Sequence, residues 1–305
     1  MAYTAGDIIT ASDLNGFISV IDNVWGVGYS TRGYGQPNPL PLVTTGTIIN
    51  GNSWANMLPR ITTLGLHQLN VTHPGIPLAS AFNTGKLIET LNDGTPNTDL
   101  PSAVSAIDTH RLTAHVNSVS SFSGITGTRN TSWGTSASPR IIHEVAVDFT
   151  SANAARYFFN SGGVISFTCS RSGGSSTPQN TNWGTLLQGL GTVRFNYLST
   201  IVSGTGSGTG IGYYGLTGNY LRIANASASG YGVHDFAIYA KTDAPGSING
   251  SNGGVVTFKI EFNNGYPSGG DVVNGTLTTN LSFTKATTYL NVTSPIFSTI
   301  TALTA

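Results

Sequence analysis

Charge is scarce in this sequence: Lys, Arg, Asp and Glu make up 9% of 305 residues, against roughly 25% in an ordinary soluble domain. The 13 basic and 13 acidic residues cancel. No basic cluster stands out, so a nucleic-acid partner is not expected. Cysteine is nearly absent. With Cys169 alone, one chain can form neither an internal disulfide nor a multi-thiolate metal site. The place of Cys169 in an apolar strand predicts a buried core thiol. No apolar run approaches the roughly 20 residues of a membrane helix, which argues against membrane insertion. The opening Met1–Asp7 lacks the basic and apolar parts of a signal peptide, so synthesis in a cytoplasm is expected. Low charge without high net charge, together with 10% aromatics, also argues against intrinsic disorder.

Gly, Ser, Thr and Asn take the place of the missing charge. The first part of the chain carries a duplication: Ala5-Gly6-Asp7-Ile8-Ile9 returns as Thr45-Gly46-Thr47-Ile48-Ile49. Behind each copy Leu14 matches Trp54, Phe17 matches Met57, Ile21 matches Ile61 and Val24 matches Leu64. Helical spacing over Leu14–Trp25 predicts a helix with Ser12 as N-cap and Gly26 beyond its end. The second copy begins at Ser53 and contains Pro59, which predicts a kinked or delayed helix. Two β-turn-helix units that cannot bury their apolar faces alone should pack on each other. Between them, Gly26–Pro41, with four glycines and three prolines, reads as a loop.

A helical patch is expected at Leu87–Leu91 and another over Pro101–Val116, with Val104, Ile107 and Leu112 on one side. Residues 117–138 are Ser-, Gly- and Thr-rich and read as a boundary. From Arg140 the period becomes two: Ile141, His143, Val145, Val147 and Phe149 alternate with Ile142, Glu144, Ala146 and Asp148. Further strands are expected at Val164–Cys169, Val193–Tyr197, Val256–Phe262 and Leu277–Phe283, with a helix over Thr181–Leu190. The fold class is mainly β: an antiparallel β-sandwich or jelly-roll-like body preceded by a small α-containing module. The implied organisation is an attachment module over 1–72, a connecting region with short helices over 73–138 and an antiparallel β domain over 139–305.

One stretch joins the two kinds of structure. In Ala154–Gly163, Arg156, Tyr157, Phe158 and Phe159 follow Ser151, a potential N-cap, and precede Asn160, Gly162 and Gly163, which tolerate a left-handed helix stop. The pattern predicts a short helix turning sharply into a strand, its aromatics wedged under the corner.

The candidates for chemistry are weak. Gly210–Gly215 matches G-x-G-x-x-G, but a strand-like Tyr220–Ile223 follows where a dinucleotide site needs a helix, so no cofactor is expected. Asp108, His110 and His115 cluster in sequence, as do His67 and His73, but His110 and His115 are five apart and point to different helix faces. No metal is expected unless a symmetry axis gathers identical histidines. Glu144, Asp148, Asp235 and Glu261 are the carboxylates a glycoside hydrolase would need in the β region. No G-x-S-x-G elbow appears, and no catalytic set emerges. Tyr213, Tyr214, Tyr220, Tyr231 and Tyr239 lie in one Gly-rich region. They could meet a glycan, with Tyr213, Tyr214 and Tyr220 foremost, or could pack between strands.

Ala5-Gly6-Asp7, Ile9 and Ala11-Ser12-Asp13-Leu14-Asn15 resemble the opening of tailed-bacteriophage virion proteins, particularly tail and fibre components. Ala155–Gly163, followed by a strand and later Asn182-Trp183, is similar to structural proteins of phages, including those of cyanobacteria. The resemblance implies a non-enzymatic virion component present in several copies, tail-associated at the tail tip, baseplate or fibre, with a possible part in host attachment. A head, neck or capsid-decoration protein and a host-glycan depolymerase are the alternatives. The expected partners are other virion proteins, further copies of the chain in a homo-oligomer, preferably a trimer, and host surface glycan.

Overall fold

Alternating apolar and polar side chains dictate a half-buried strand, and the chain obeys this from Arg140 on. In the computed structural model, residues 10–44, 46–47, 49, 53, 56–72, 100–135, 137–228, 234–246, 250–265 and 272–304 are described. Two compact units emerge. One consists of Met1–Ser120, Arg156–Gly162 and Ala286–Val292, the other of Ser121–Ala155, Gly163–Lys285 and Thr293–Ala305. Two short, sequence-distant segments thus belong to the first unit.

The first unit is built on α1 (Ala11–Trp25), α2 (Leu58–Leu69) and α3 (Leu100–Thr109). Leu14, Ile18, Ile21 and Val24 of α1 are buried, as are Ile61 and Leu64 of α2. The N-cap of α1 is Thr10, not Ser12. Thr10 and Asp13 form a reciprocal capping box, in which Asp13 Oδ2 accepts from the Thr10 amide at 2.8 Å. Pro59 sits in the first turn of α2, where its missing N–H costs nothing, so no kink results. The α1 and α2 helices touch through the Arg60 guanidinium, 3.8 Å from the Trp25 ring centroid. The α3 helix ends at Thr109 instead of running to Val116, and Leu112 lies in the turn beyond it. Asn15 grips the extended Val43 through both backbone groups, at 2.9 and 2.8 Å. The expectations at Ala5–Ile9, Trp54 and Leu87–Leu91 lie outside the described residues.

The second unit is a β-sandwich of two antiparallel sheets. β1 (Val119–Arg129), β10 (Thr276–Ala286), β3 (Val164–Ser172), β4 (Thr192–Phe195) and β5 (Thr200–Val202) form one sheet in that order. The other runs β11 (Ile296–Phe297), β2 (Arg140–Asp148), β9 (Val255–Asn264), β8 (His234–Thr242), β7 (Leu221–Ser227) and β6 (Ser207–Gly208), with β12 (Thr301–Thr304) also on β2. The inner faces meet through Phe258, whose ring lies 4.8 Å from Phe167 and 5.2 Å from Phe195. Cys169 is buried among them, and burial pushes its thiol up to about 12.

On one side the sheets are tied where the Thr200 amide donates to the Thr209 carbonyl at 2.9 Å. On the other, β1 meets the C-terminal strands: a Cβ at Gly124 would lie 3.0 Å from the Phe297 ring, and one at Gly127 would lie 2.6 Å from Ile300. The Ser/Gly/Thr-rich stretch read as a boundary contains β1 over half its length, and the limit between the two units, Ser120/Ser121, falls within it. Its small residues permit this close passage.

Helix α4 (Ala152–Asn160) begins at Ser151, whose hydroxyl accepts from the Ala154 amide at 3.1 Å. It stops at Gly162, at φ +88°, directly before β3. Helix α5 (Pro178–Leu190) starts earlier than its apolar pattern implied, because Thr177 caps it and Pro178 fits its first turn.

Candidate polar face of the seven-stranded sheet

Outward positions of four neighbouring strands gather seven of the chain's 26 charged side chains: Arg140, Glu144, Arg222, Asp235, Lys241, Lys259 and Glu261. In so charge-poor a chain this concentration makes the face the candidate site. Strand register produces it. Glu144 on β2 is opposite Lys259 on β9, Lys259 is opposite Tyr239 on β8, and Tyr239 is opposite Arg222 on β7. Direct cross-strand neighbours stand about 5 Å apart.

Tyr220, just before β7, lies across this row. Its hydroxyl donates to Glu144 Oε2 at 2.7 Å. Lys241 Nζ is 4.5 Å and Lys259 Nζ 5.3 Å from the Tyr220 ring centroid, and Lys259 is 4.4 Å from that of Tyr239. Glu261, only 7% exposed, accepts from Arg140 at 2.9 Å and faces Lys259 at 3.7 Å. Partial burial raises the Tyr220 phenol well above its usual range, and the hydrogen bond and negative charge of Glu144 add to this. Burial also raises Tyr239 and Asp235, and the charge of Glu261 pushes both the same way.

Such a phenol is a poor nucleophile and a poor base. Glu144 is engaged by Tyr220, and Glu261 by Arg140 and Lys259. Ammonium groups sit against the Tyr rings that a sugar would stack on. Tyr220–Glu144, Arg140–Glu261 and Lys259–Glu261 thus form a ladder of paired groups across the face.

Sequence reading anticipated Glu144, Asp235, Glu261, Tyr220 and Tyr239 as separate candidates, and the fold brings them together. Asp148 stands apart at the end of β2, where its carboxylate accepts from the Thr150 amide at 2.6 Å. Arg140, Arg222, Lys241 and Lys259 were missed. Outward alternation within their strands was legible, but their alignment across strands was not.

Tyr213, expected as a possible glycan contact, is fully buried. Its hydroxyl donates to the Gly253 carbonyl at 2.8 Å and accepts from the Asn252 amide at 2.9 Å. Tyr214 is half-buried with its ring 5.1 Å from that of Tyr213. Tyr231 lies outside the described residues. Gly210–Gly215 ends in a short 3₁₀ turn, and strand β7 follows.

The histidine groups disperse. His67 is buried beside Tyr34, His115 caps a 3₁₀ turn by accepting from the Asn117 amide at 3.2 Å, and His73 is outside the described residues. Asp108 is held by Arg32 through two bonds of 2.7 and 2.8 Å. No group of three or more potential metal ligands occurs among the described residues. A hollow of about 420 Å³ between α1 and α3 is lined by Phe17, Val20 and Val104 with Asp13 and Asp108. Both carboxylates there are already committed, one to the capping box and one to Arg32.

In the corner segment, Arg156, Phe158, Phe159 and Asn160 are each 0% exposed. Arg156 donates to the Val27 carbonyl at 2.7 Å and Asn160 to the Gly33 carbonyl at 3.1 Å. The Tyr157 ring lies against Gly35, and Gly163 is buried at the turn. No protein-family model matches the chain, and no similar curated protein or solved structure was found.

Proposed function

We infer that the chain is a non-enzymatic structural component of a tailed-phage virion, tail-associated at the tail tip, baseplate or fibre. One observation carries this reading. The segment Ala155–Gly163, on which the resemblance to phage structural proteins rests most heavily, is spent on packing: its Arg, two Phe and Asn are buried, and the Arg and Asn donate to the Val27 and Gly33 carbonyls. On the polar face, Glu144 is likewise engaged by Tyr220, and Glu261 by Arg140 and Lys259. A stiff, nearly neutral sandwich suits a subunit whose surface is covered by neighbours.

The test is quantitative mass spectrometry of purified particles, followed by labelled electron microscopy. Several copies per particle with label at the tail are expected, and absence from washed particles overturns the reading. Incubation with host polysaccharide should produce no new reducing ends; their appearance would favour the depolymerase instead.

A further inference from the structure

Strand β1 is an edge whose one strand neighbour among the described residues is β10. It runs for 11 residues, Val-Ser-Ser-Phe-Ser-Gly-Ile-Thr-Gly-Thr-Arg, with a single charge at its last position. Ser120–Gly124 are all exposed. Proline and inward-pointing lysine, the usual devices that stop a free edge from pairing, are missing. Large apolar side chains also stand exposed on the strands bordering this side: Phe122 at 37% on β1, Ile296 at 59% on β11 and Leu303 at 46% on β12.

Such an edge accepts an added strand, and the composition of β1 restricts which one. The incoming strand must be long, free of proline and nearly uncharged. β1 itself meets these conditions. Antiparallel self-pairing centred on Gly124 sets Ser123 of each copy opposite Ile125 of the other, Phe122 opposite Thr126 and Ser120 opposite Thr128. The two Arg129 side chains then lie at opposite ends, on the order of 30 Å apart at about 3.3 Å per residue, so like charges do not meet. The pairing is two-fold and self-complementary, hence closed.

We propose that two copies of this chain join β1 to β1 in antiparallel register about Gly124, fusing their five-stranded sheets across a two-fold axis. This deepens the reading of the chain as an assembly subunit and rests on it. Location in the particle and pairing in solution are measured separately, so either can fail alone.

Sedimentation of the full chain over a wide concentration range tests the pairing in three forms: wild type, Ser123→Lys/Ile125→Lys and Ser123→Glu/Ile125→Lys. Wild type should dimerise. The double-lysine form places ammonium groups face to face across the axis and should be monomeric. The Glu/Lys form sets carboxylate against ammonium twice and should dimerise again. Near-ultraviolet circular dichroism from buried Trp133 and Trp183 checks that each variant is folded. Should Ile125→Lys unfold the chain, Ser120→Lys/Thr128→Lys, at two exposed positions that face each other across the axis, gives the same repulsion and should be monomeric. A wild-type monomer, a trimer, or a dimer indifferent to these charges overturns the proposal.

Discussion

His143 Nδ1 lies 2.8 Å from Thr279 Oγ1, joining the inner face of β2 to that of β10 across the core of the sandwich. Burial lowers His143 to about 4, assisted by the positive charge of Arg129, and burial lowers His67 to about 4 as well. An unfolded histidine titrates near 6.5. As pH falls from about 6.5 to 4, the unfolded chain takes up protons that the folded chain refuses, so stability is lost across this window. It is fully present above the window and levels off below it. Each histidine contributes on the order of 3 kcal/mol to the loss. Thermal melts at stepped pH should show it, and His143→Gln should flatten the slope. A melting temperature constant from pH 7 to about 4 would contradict this account.

The corner segment makes a second prediction. Phe158→Ala or Phe159→Ala should cost about 3–5 kcal/mol, since both rings are fully buried. Gly162→Val should cost more than about 1 kcal/mol, because φ is +88° and an added Cβ would strike Ala114. Denaturant unfolding measures all three, and wild-type midpoints would remove the structural role.

The two tyrosines separate anchoring from surface contact. Tyr213→Phe removes the acceptor of the buried Asn252 amide and a donor to the Gly253 carbonyl, and should cost about 1–3 kcal/mol. Tyr220→Phe removes one bond to Glu144 on a half-exposed face and should cost about 1 kcal/mol or less. Chemical denaturation of both variants ranks them, and equal effects would mean that Tyr213 is not the internal tie described.

Deletion of residues 1–69 tests the segmental build of the helical unit. The deletion removes the Val27 and Gly33 carbonyls that hold Arg156 and Asn160, and the Gln36 side chain that bonds Asn291 at 2.9 and 3.0 Å. With these bonds lost, the fragment should aggregate or melt well below the full chain. Gel filtration and calorimetry read this directly. A monodisperse fragment melting like the full protein would refute it.

Period two over Ile141–Phe149 and Val256–Phe262, and period 3.6 over Leu14–Val24, determined strand and helix by themselves, since one buried face is enough to impose a period. The Ser151–Gly163 helix stop was legible for the same local reason: its cap and its left-handed glycine act within a few residues. Tertiary structure alone decided the rest. Whether Ser- and Gly-rich 119–129 is loop or strand depends on β10 lying beside it, and nothing within the stretch reports that neighbour. Tyr213 and Tyr220 look alike in sequence, yet one is an internal tie and the other a surface ring, because backbone from Asn252 and Gly253 reaches only the first. The polar face required Glu144, Lys259, Tyr239 and Arg222 to align across four strands. Register is set by pairing between segments up to about a hundred residues apart, and local pattern carries no information about it.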